Sequence, residues 1–202
     1  MGIYDRYLAG RIRLSDADLP SCVAVIITER DLLEPGAYET LSSLFRWAFE
    51  FGADSVVVYV SVLDSEAVPT LRAALSSLDT PREIAVRGPD DETTTEAPIA
   101  VSIGLGGKAE FATAVRGIAT AAAEGDIDPD ALDTADIERR LVFPTAPDLV
   151  IKTGQERLSD FLIWQSVYSE LYFTDVNWRN FRYRDYLRAI REYQSRSRRF
   201  GR

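Results

Sequence analysis

A single α/β domain with a mostly parallel central sheet flanked by helices is what this 202-residue sequence predicts, on three observations. Short, continuous apolar runs bounded by turn residues read as strands buried on both faces. Segments of helical periodicity alternate with those runs, the order that places crossover helices between parallel strands. The length suits one domain with a full core, and no internal repeat or linker interrupts it, so residues 1–202 form one domain.

The elements follow in order. Ile3, Tyr7, Leu8 and Ile12 recur at helical spacing among charges, which predicts a short amphipathic helix over 2–13. CVAVII (22–27), between Pro20 and Thr28-Glu29-Arg30-Asp31, predicts a first buried strand. After Pro35-Gly36, the stripe Leu41, Leu44, Phe45, Ala48 and Phe49 predicts a helix from about 37 to 51, stopped by Gly52. SVVVYVSV (55–62) is the second strand, 68–78 a short helix, and 83–86 a short strand. An acidic, threonine-rich loop (89–95) leads to a strand at 99–103. Gly104-Leu105-Gly106-Gly107 then opens an alanine-rich helix over 108–123. Acidic turns (126–136) precede what reads as the last strand, 149–152, and helices around 158–168 and 183–199 close the chain.

Composition removes whole classes of chemistry. There is no histidine and one cysteine, Cys22, so Ser-His-Asp and Cys-His triads, internal disulfides and His- or Cys-rich metal sites are excluded. What remains is carboxylates, arginines, hydroxyls and backbone amides. The net charge is −9, and of 23 basic residues only Lys108 and Lys152 are lysine. Such a surface points either to a salt-rich cytoplasm that screens self-repulsion, the favoured reading, or to a genome rich in arginine codons. It argues against nucleic acid as a partner, since phosphate neutralisation needs basic surface. No run approaches the roughly 20 apolar residues of a membrane span, and MGIYDRYLAGRIRLSD lacks the apolar centre of a secretory signal. The expected location is cytoplasmic, at most peripheral to a membrane.

Ligands of open parallel sheets bind beyond the carboxyl ends of the strands. Three such ends carry polar chemistry: Thr28-Glu29-Arg30-Asp31, the turn Gly106-Gly107 opening a helix, and Lys152-Thr153-Gly154 running on to Arg157 and Ser159. Amides at a helix start suit an anion, and Lys152, Arg157 and Ser159 add cations and a hydroxyl, which together predict a phosphate-binding rim. Glu170 lies in an aromatic run and is either paired with an arginine or a metal ligand. That run, with Phe161, Trp164, Tyr168, Tyr172 and Phe173, is either core or a subunit interface.

PDLVIKTGQERLSDFLIWQSVYSELYFTDVNWRNF (147–181) with YQSRSRRFG (193–201) resembles the C-terminal signature of undecaprenyl diphosphate synthase-type cis-prenyltransferases, and GGKAE (106–110) resembles that family's GGRAE. The resemblance runs from about residue 101 to the end. It implies a dimer that extends an allylic diphosphate with isopentenyl diphosphate, using Mg²⁺. By residue matching, Arg157 and Ser159 hold the isopentenyl diphosphate, Lys152 stands where the family has arginine, and Glu170 matches a family glutamate. Arg199 and Gly201 match the R-x-G that reaches into the partner subunit's site. One residue fewer than in the family separates Lys152 from Arg157.

The N-terminal half departs from that pattern. The family's first strand runs into Asp-Gly-Asn, whose aspartate places Mg²⁺; here Thr28 stands at that position. Only some 36 residues separate the strands at 55–62 and 99–103, where active members carry a longer insert that walls the product tunnel. Both departures resemble the non-catalytic, Nogo-B receptor-type subunit of heteromeric cis-prenyltransferases. That subunit also shares Ile27-Thr28-Glu29 and the lysine after Pro147-Asp148-Leu149-Val150. The resemblance implies an active paralogue as partner, in a heterodimer or heterotetramer, with self-association as the alternative.

Overall fold

A computed structural model describes residues 2–91, 97–143, 146–154 and 163–200, with side chains as far as Arg196. Its centre is a six-stranded sheet in the order β3-β4-β2-β1-β5-β6. The strands are β1 (Cys22–Thr28), β2 (Ser55–Ser61), β3 (Ile84–Arg87), β4 (Ile99–Ile103), β5 (Leu149–Thr153) and β6 (Glu170–Thr174), and every neighbouring pair is parallel. The helices are α1 (Ile3–Arg13), α2 (Glu29–Leu33), α3 (Ala37–Glu50), α4 (Val68–Ser76), α5 (Gly107–Glu124), α6 (Thr134–Glu138) and α7 (Tyr183–Phe200). The predicted α/β class and parallel sheet are therefore present.

Strand parity splits the core into unequal halves. Val23, Val25, Ile27, Val56, Val58, Val60, Ile99, Val101, Leu149 and Ile151 face one side, where they pack with Leu8 and Ile12 of α1, Leu41, Leu44 and Phe45 of α3, Leu71 and Leu75 of α4, and Leu187 and Ile190 of α7. The opposite face is smaller: Ala24, Ile26, Val57, Tyr59, Ala100 and Val150 are covered by Val142 and Phe143. β1 is held on both flanks. Its β2 partner comes soon after it, but its β5 partner begins at Leu149, opposite Val23. Asp148 fastens that second pairing, its Oδ2 accepting from the amides of Ser21 and Cys22, each at 2.8 Å.

Several expectations change. The strand at 149–152 is not the last; β6 follows and forms the sheet edge beside β5. Within the helix expected over 158–168, residues 163–164 form a turn and Gln165–Tyr168 a short 3-10 helix; 155–162 lie outside the described residues. The acidic turns contain α6, closed by a capping box between Asp133 and Asp136.

Candidate functional site

The chain steps from β1 outward to β2 and β4, then returns to lay β5 on the other flank of β1. Connections leaving β1 and β5 in opposite directions open a crevice beyond their carboxyl ends, the usual ligand position in such sheets. Ile26 pairs with Lys152, so Thr28 ends β1 level with the turn at Gly154. Thr28 and Lys152 share the parity of Ile26 and Val150, and so stand on the α5 side of the sheet.

The mouth of the crevice is closed on itself. The Thr28 amide and hydroxyl both donate to Asp31 Oδ2, at 2.8 and 2.7 Å, while Thr28 Oγ1 accepts from the Asp31 amide at 3.2 Å. Thr28 thus serves as the N-cap of α2. Glu29 Oε2 accepts from the Leu63 amide at 3.1 Å and ties the end of β1 to the chain leaving β2. The carboxylates at this position are engaged with local amides instead of converging, and among the described residues no group of three or more Asp, Glu, Cys or His could hold a metal ion. A Mg²⁺ ion held on a substrate's phosphates calls for one or two carboxylates directed at it, whereas Asp31 and Glu29 are directed at amides of this chain. Gly154 adopts φ +80°, a conformation that L side chains rarely take, and its amide donates to Thr174 O at 2.9 Å.

The structure brings together only part of the predicted rim. Lys152 and Thr28 end adjacent strands. Gly106 caps α5 and Gly107 begins it, but they follow β4, three strand spacings from β5, or roughly 14 Å along the same edge. Arg157, Ser159, Phe161 and Gly201 lie outside the described residues, as does the Arg199 side chain. Glu170 pairs with an arginine: Arg196 Nη1 lies 3.1 Å from Glu170 Oε2 and also donates to Leu171 O at 2.8 Å.

The aromatic run does not form one surface. Trp164 stacks on Phe111 with centroids 5.7 Å apart. Tyr168 is 95% exposed. Tyr172 and Phe173 are half-buried in β6, where Tyr172 packs against the larger core. Among the described residues of the run, Ile163, Val167 and Tyr168 are exposed and open to a partner.

Sequence reasoning missed a buried polar group on the smaller face. Glu110 Oε1 accepts from Val142 N at 2.7 Å, Phe143 N at 3.4 Å and Gln165 Nε2 at 3.2 Å. These bonds hold the 141–143 segment against the sheet. A cleft of about 490 Å³ opens beside it, lined by Arg87, Asp91, Glu110, Arg116 and Arg140. Burial pushes the Glu110 carboxyl above its ordinary value, against the opposing pull of the amide bonds and Arg87. Burial likewise lowers Arg87, with Asp91 and Glu110 opposing. The signal was available: Gly107, Glu110 and Ala114 are spaced three and four apart, which puts the glutamate on the stripe of α5 that faces inward.

A pH dependence follows from Glu110. Because its carboxyl holds its proton more firmly when folded, the folded state binds more protons above the ordinary value of 4.5. That stabilising contribution is complete below the ordinary value and is lost as pH rises through the folded one. Urea unfolding of wild type and Glu110→Gln across this range should show wild type losing stability relative to the variant as pH rises. A constant gap would mean that the carboxyl is not held protonated by its surroundings.

Residues 74–201 match the family described as "Putative undecaprenyl diphosphate synthase". A tritrans,polycis-undecaprenyl-diphosphate synthase (geranylgeranyl-diphosphate specific) of Methanocaldococcus jannaschii is 50% identical over 107 residues, which are 50% of this chain and 38% of that enzyme. The match thus spans well under half the length of that relative. A short-chain Z-isoprenyl diphosphate synthase of Mycobacterium bovis is 30% identical over 248 positions, covering 99% of this chain and 95% of that one. Those positions exceed the roughly 200 residues this chain contributes, so about 48 have no counterpart here. The crystal structure of lavandulyl diphosphate synthase from Lavandula x intermedia in complex with dimethylallyl diphosphate superposes with TM-score 0.70 at 21% identity, covering 87% of this chain and 95% of that one, a likeness of fold. With its parallel sheet, its crevice between β1 and β5 and a family match over most of its length, the chain belongs to the undecaprenyl diphosphate synthase family of cis-prenyltransferases.

Proposed function

We infer that this chain is a non-catalytic or weakly catalytic subunit of a heteromeric cis-prenyltransferase, a polyprenyl diphosphate synthase, and that it completes an active paralogue's site through Arg199-Phe200-Gly201. The observation that carries the reading is the closed Thr28–Asp31 capping box at the end of β1. There the resemblance calls for an aspartate that places Mg²⁺. Chain elongation ionises the allylic C–O bond, and Mg²⁺ with arginines stabilises the charge gathering on the departing diphosphate. In this proposal the partner supplies most of the metal binding, and the Lys152–Ser159 rim of this chain holds isopentenyl diphosphate.

Packing supports the same reading. The only α-helix described between β2 and β4 is α4, where the family's insert would wall a tunnel. Leu71 and Leu75 of α4 are at most 4% exposed and join Leu44, Phe45, Val60 and Ile103 in one packed core. In this proposal the growing prenyl chain occupies the partner's tunnel and not this packed layer.

The purified chain alone should therefore extend an allylic diphosphate at least about 100-fold more slowly than its complex with the paralogue, a loss of roughly 2.7 kcal/mol of transition-state stabilisation. Radiolabelled isopentenyl diphosphate incorporation at saturating Mg²⁺ measures this. The second reading, an active homodimer making a short product, draws on the full-length match to a short-chain synthase. Efficient elongation by the homogeneous protein would establish it in place of the first.

A further inference from the structure

α1 has two apolar faces. Leu8, Ala9 and Ile12 are buried against the core, whereas Ile3, Tyr7 and Leu14 lie on the opposite side at spacings of four and seven. Ile3 is 90% exposed and Leu14, which ends the helix, 87%. Arginine lies on both sides of this outer stripe. Arg6 is on one side, and on the other Arg11 rests over the Tyr7 ring, 5.8 Å from its centroid. Beyond Arg11 a groove of about 480 Å³ separates α1 from α7, with Tyr4, Tyr172, Arg188, Arg191 and Glu192 in its walls.

The charge here runs against the rest of the molecule. α1 and α7 together hold nine arginines against three carboxylates, in a chain of net charge −9. Among the described residues neither Arg6 nor Arg191 has an ion-pair partner, while Arg13 is taken up by Glu50 at 2.6 Å. A second copy docking on this face would set its arginines against the same arginines, which disfavours self-association there. A protein with acidic side chains would satisfy the cations but not two aliphatic side chains standing clear of the surface. An anionic bilayer satisfies both: headgroup phosphates meet the guanidinium groups, and Ile3, Tyr7 and Leu14 enter the headgroup–acyl boundary.

We propose that the outer face of α1, with the adjoining arginines of α7, is a docking surface for a membrane rich in anionic phospholipid. It lies on a different part of the molecule from the diphosphate crevice and does not depend on how that crevice is read. No helix among the described residues is long and apolar enough to cross a membrane, so the contact is peripheral.

Co-sedimentation with vesicles tests this without any activity assay, in a buffer where circular dichroism shows the native fold. The chain should partition at least about 25-fold more strongly onto phosphatidylglycerol–phosphatidylcholine vesicles than onto phosphatidylcholine alone, since each arginine near an anionic surface contributes about fivefold (about 1 kcal/mol). Arg6→Gln with Arg191→Gln should remove about 25-fold of that partitioning. Ile3→Ser with Leu14→Ser should lower it at least about tenfold through lost apolar burial, with the dichroism unchanged because both side chains point away from the core. Equal binding to both vesicle types, no binding to the anionic ones, or wild-type partitioning by the serine pair would each overturn the proposal.

Discussion

Replacing Arg199 with alanine should leave the assembled heteromer intact and slow its turnover roughly 30- to 1,000-fold, the loss of about 2–4 kcal/mol of transition-state stabilisation. In the proposal Arg199 donates a charge-assisted hydrogen bond to a diphosphate in the partner's site, and Gly201 lets the backbone come close. The end of α7 supports an action in trans. Arg196 is fixed to Glu170 and Leu171, at the amino end of β6, whereas the crevice lies beyond the carboxyl ends of the strands. A strand of five residues spans roughly 16 Å, and three residues of helix from Arg196 to Arg199 advance only about 4.5 Å. The tail is thus poorly placed for its own crevice. Arg199→Lys should restore only part of the rate, because an ammonium cannot form the planar fork. Steady-state turnover, beside gel filtration of the same samples, decides the matter. A wild-type rate for Arg199→Ala would leave this chain as a scaffold without catalytic contribution.

Trp178→Ala should cost about 3–5 kcal/mol of folding stability. The indole is fully buried, stacks on Phe181 with centroids 5.6 Å apart, and donates from Nε1 to Ala37 O at 3.1 Å. That bond joins the start of α3 to the segment entering α7, so the truncation opens a cavity and removes the link together. For a chain of this size the melting temperature should fall by roughly 6–20 °C. Trp178→Phe keeps most of the ring volume and should cost about 1–2 kcal/mol. Equal losses for the two variants in urea denaturation would show that the hydrogen bond, and not the ring, dominates.

How legible each part was depended on the length of the signal. β1 and β2 are unbroken apolar runs between turn residues, and α3 carries five apolar residues on one stripe, so composition and period agreed. β6 was hidden because ELYFT is five residues long, shows no alternation, and forms the end of a run apolar enough to read as interface. Its half-burial at the sheet edge explains the mixture. α2 and α6 hold five residues each, too few for a period; their capping boxes were the readable sign. Of the site, the rim at Thr28 and Lys152 followed from the rule about strand ends. Whether neighbouring rim residues meet depends on strand order, which no local pattern encodes, and so Gly106 and Lys152 seemed closer than they are. Glu110 and Gln165 escaped because buried polar pairs are fixed by long-range packing, although the helical stripe offered a hint for Glu110.

The late partner of β1 has a consequence for how the protein is made. Ser21 and Asp148, joined in the finished fold, are 127 residues apart in the chain. At a synthesis rate of about 5–20 residues per second, β1 can pair with β2 early yet must wait roughly 6–25 s for β5. Through that interval one whole flank of the central strand is an open row of amides and carbonyls, a template for any compatible strand nearby. Under the heteromeric proposal, a homologous partner translated in the same cell would offer such strands. Until β5 arrives that flank stays open to mispairing, and in the finished fold the carboxylate of Asp148 fastens the closed pairing.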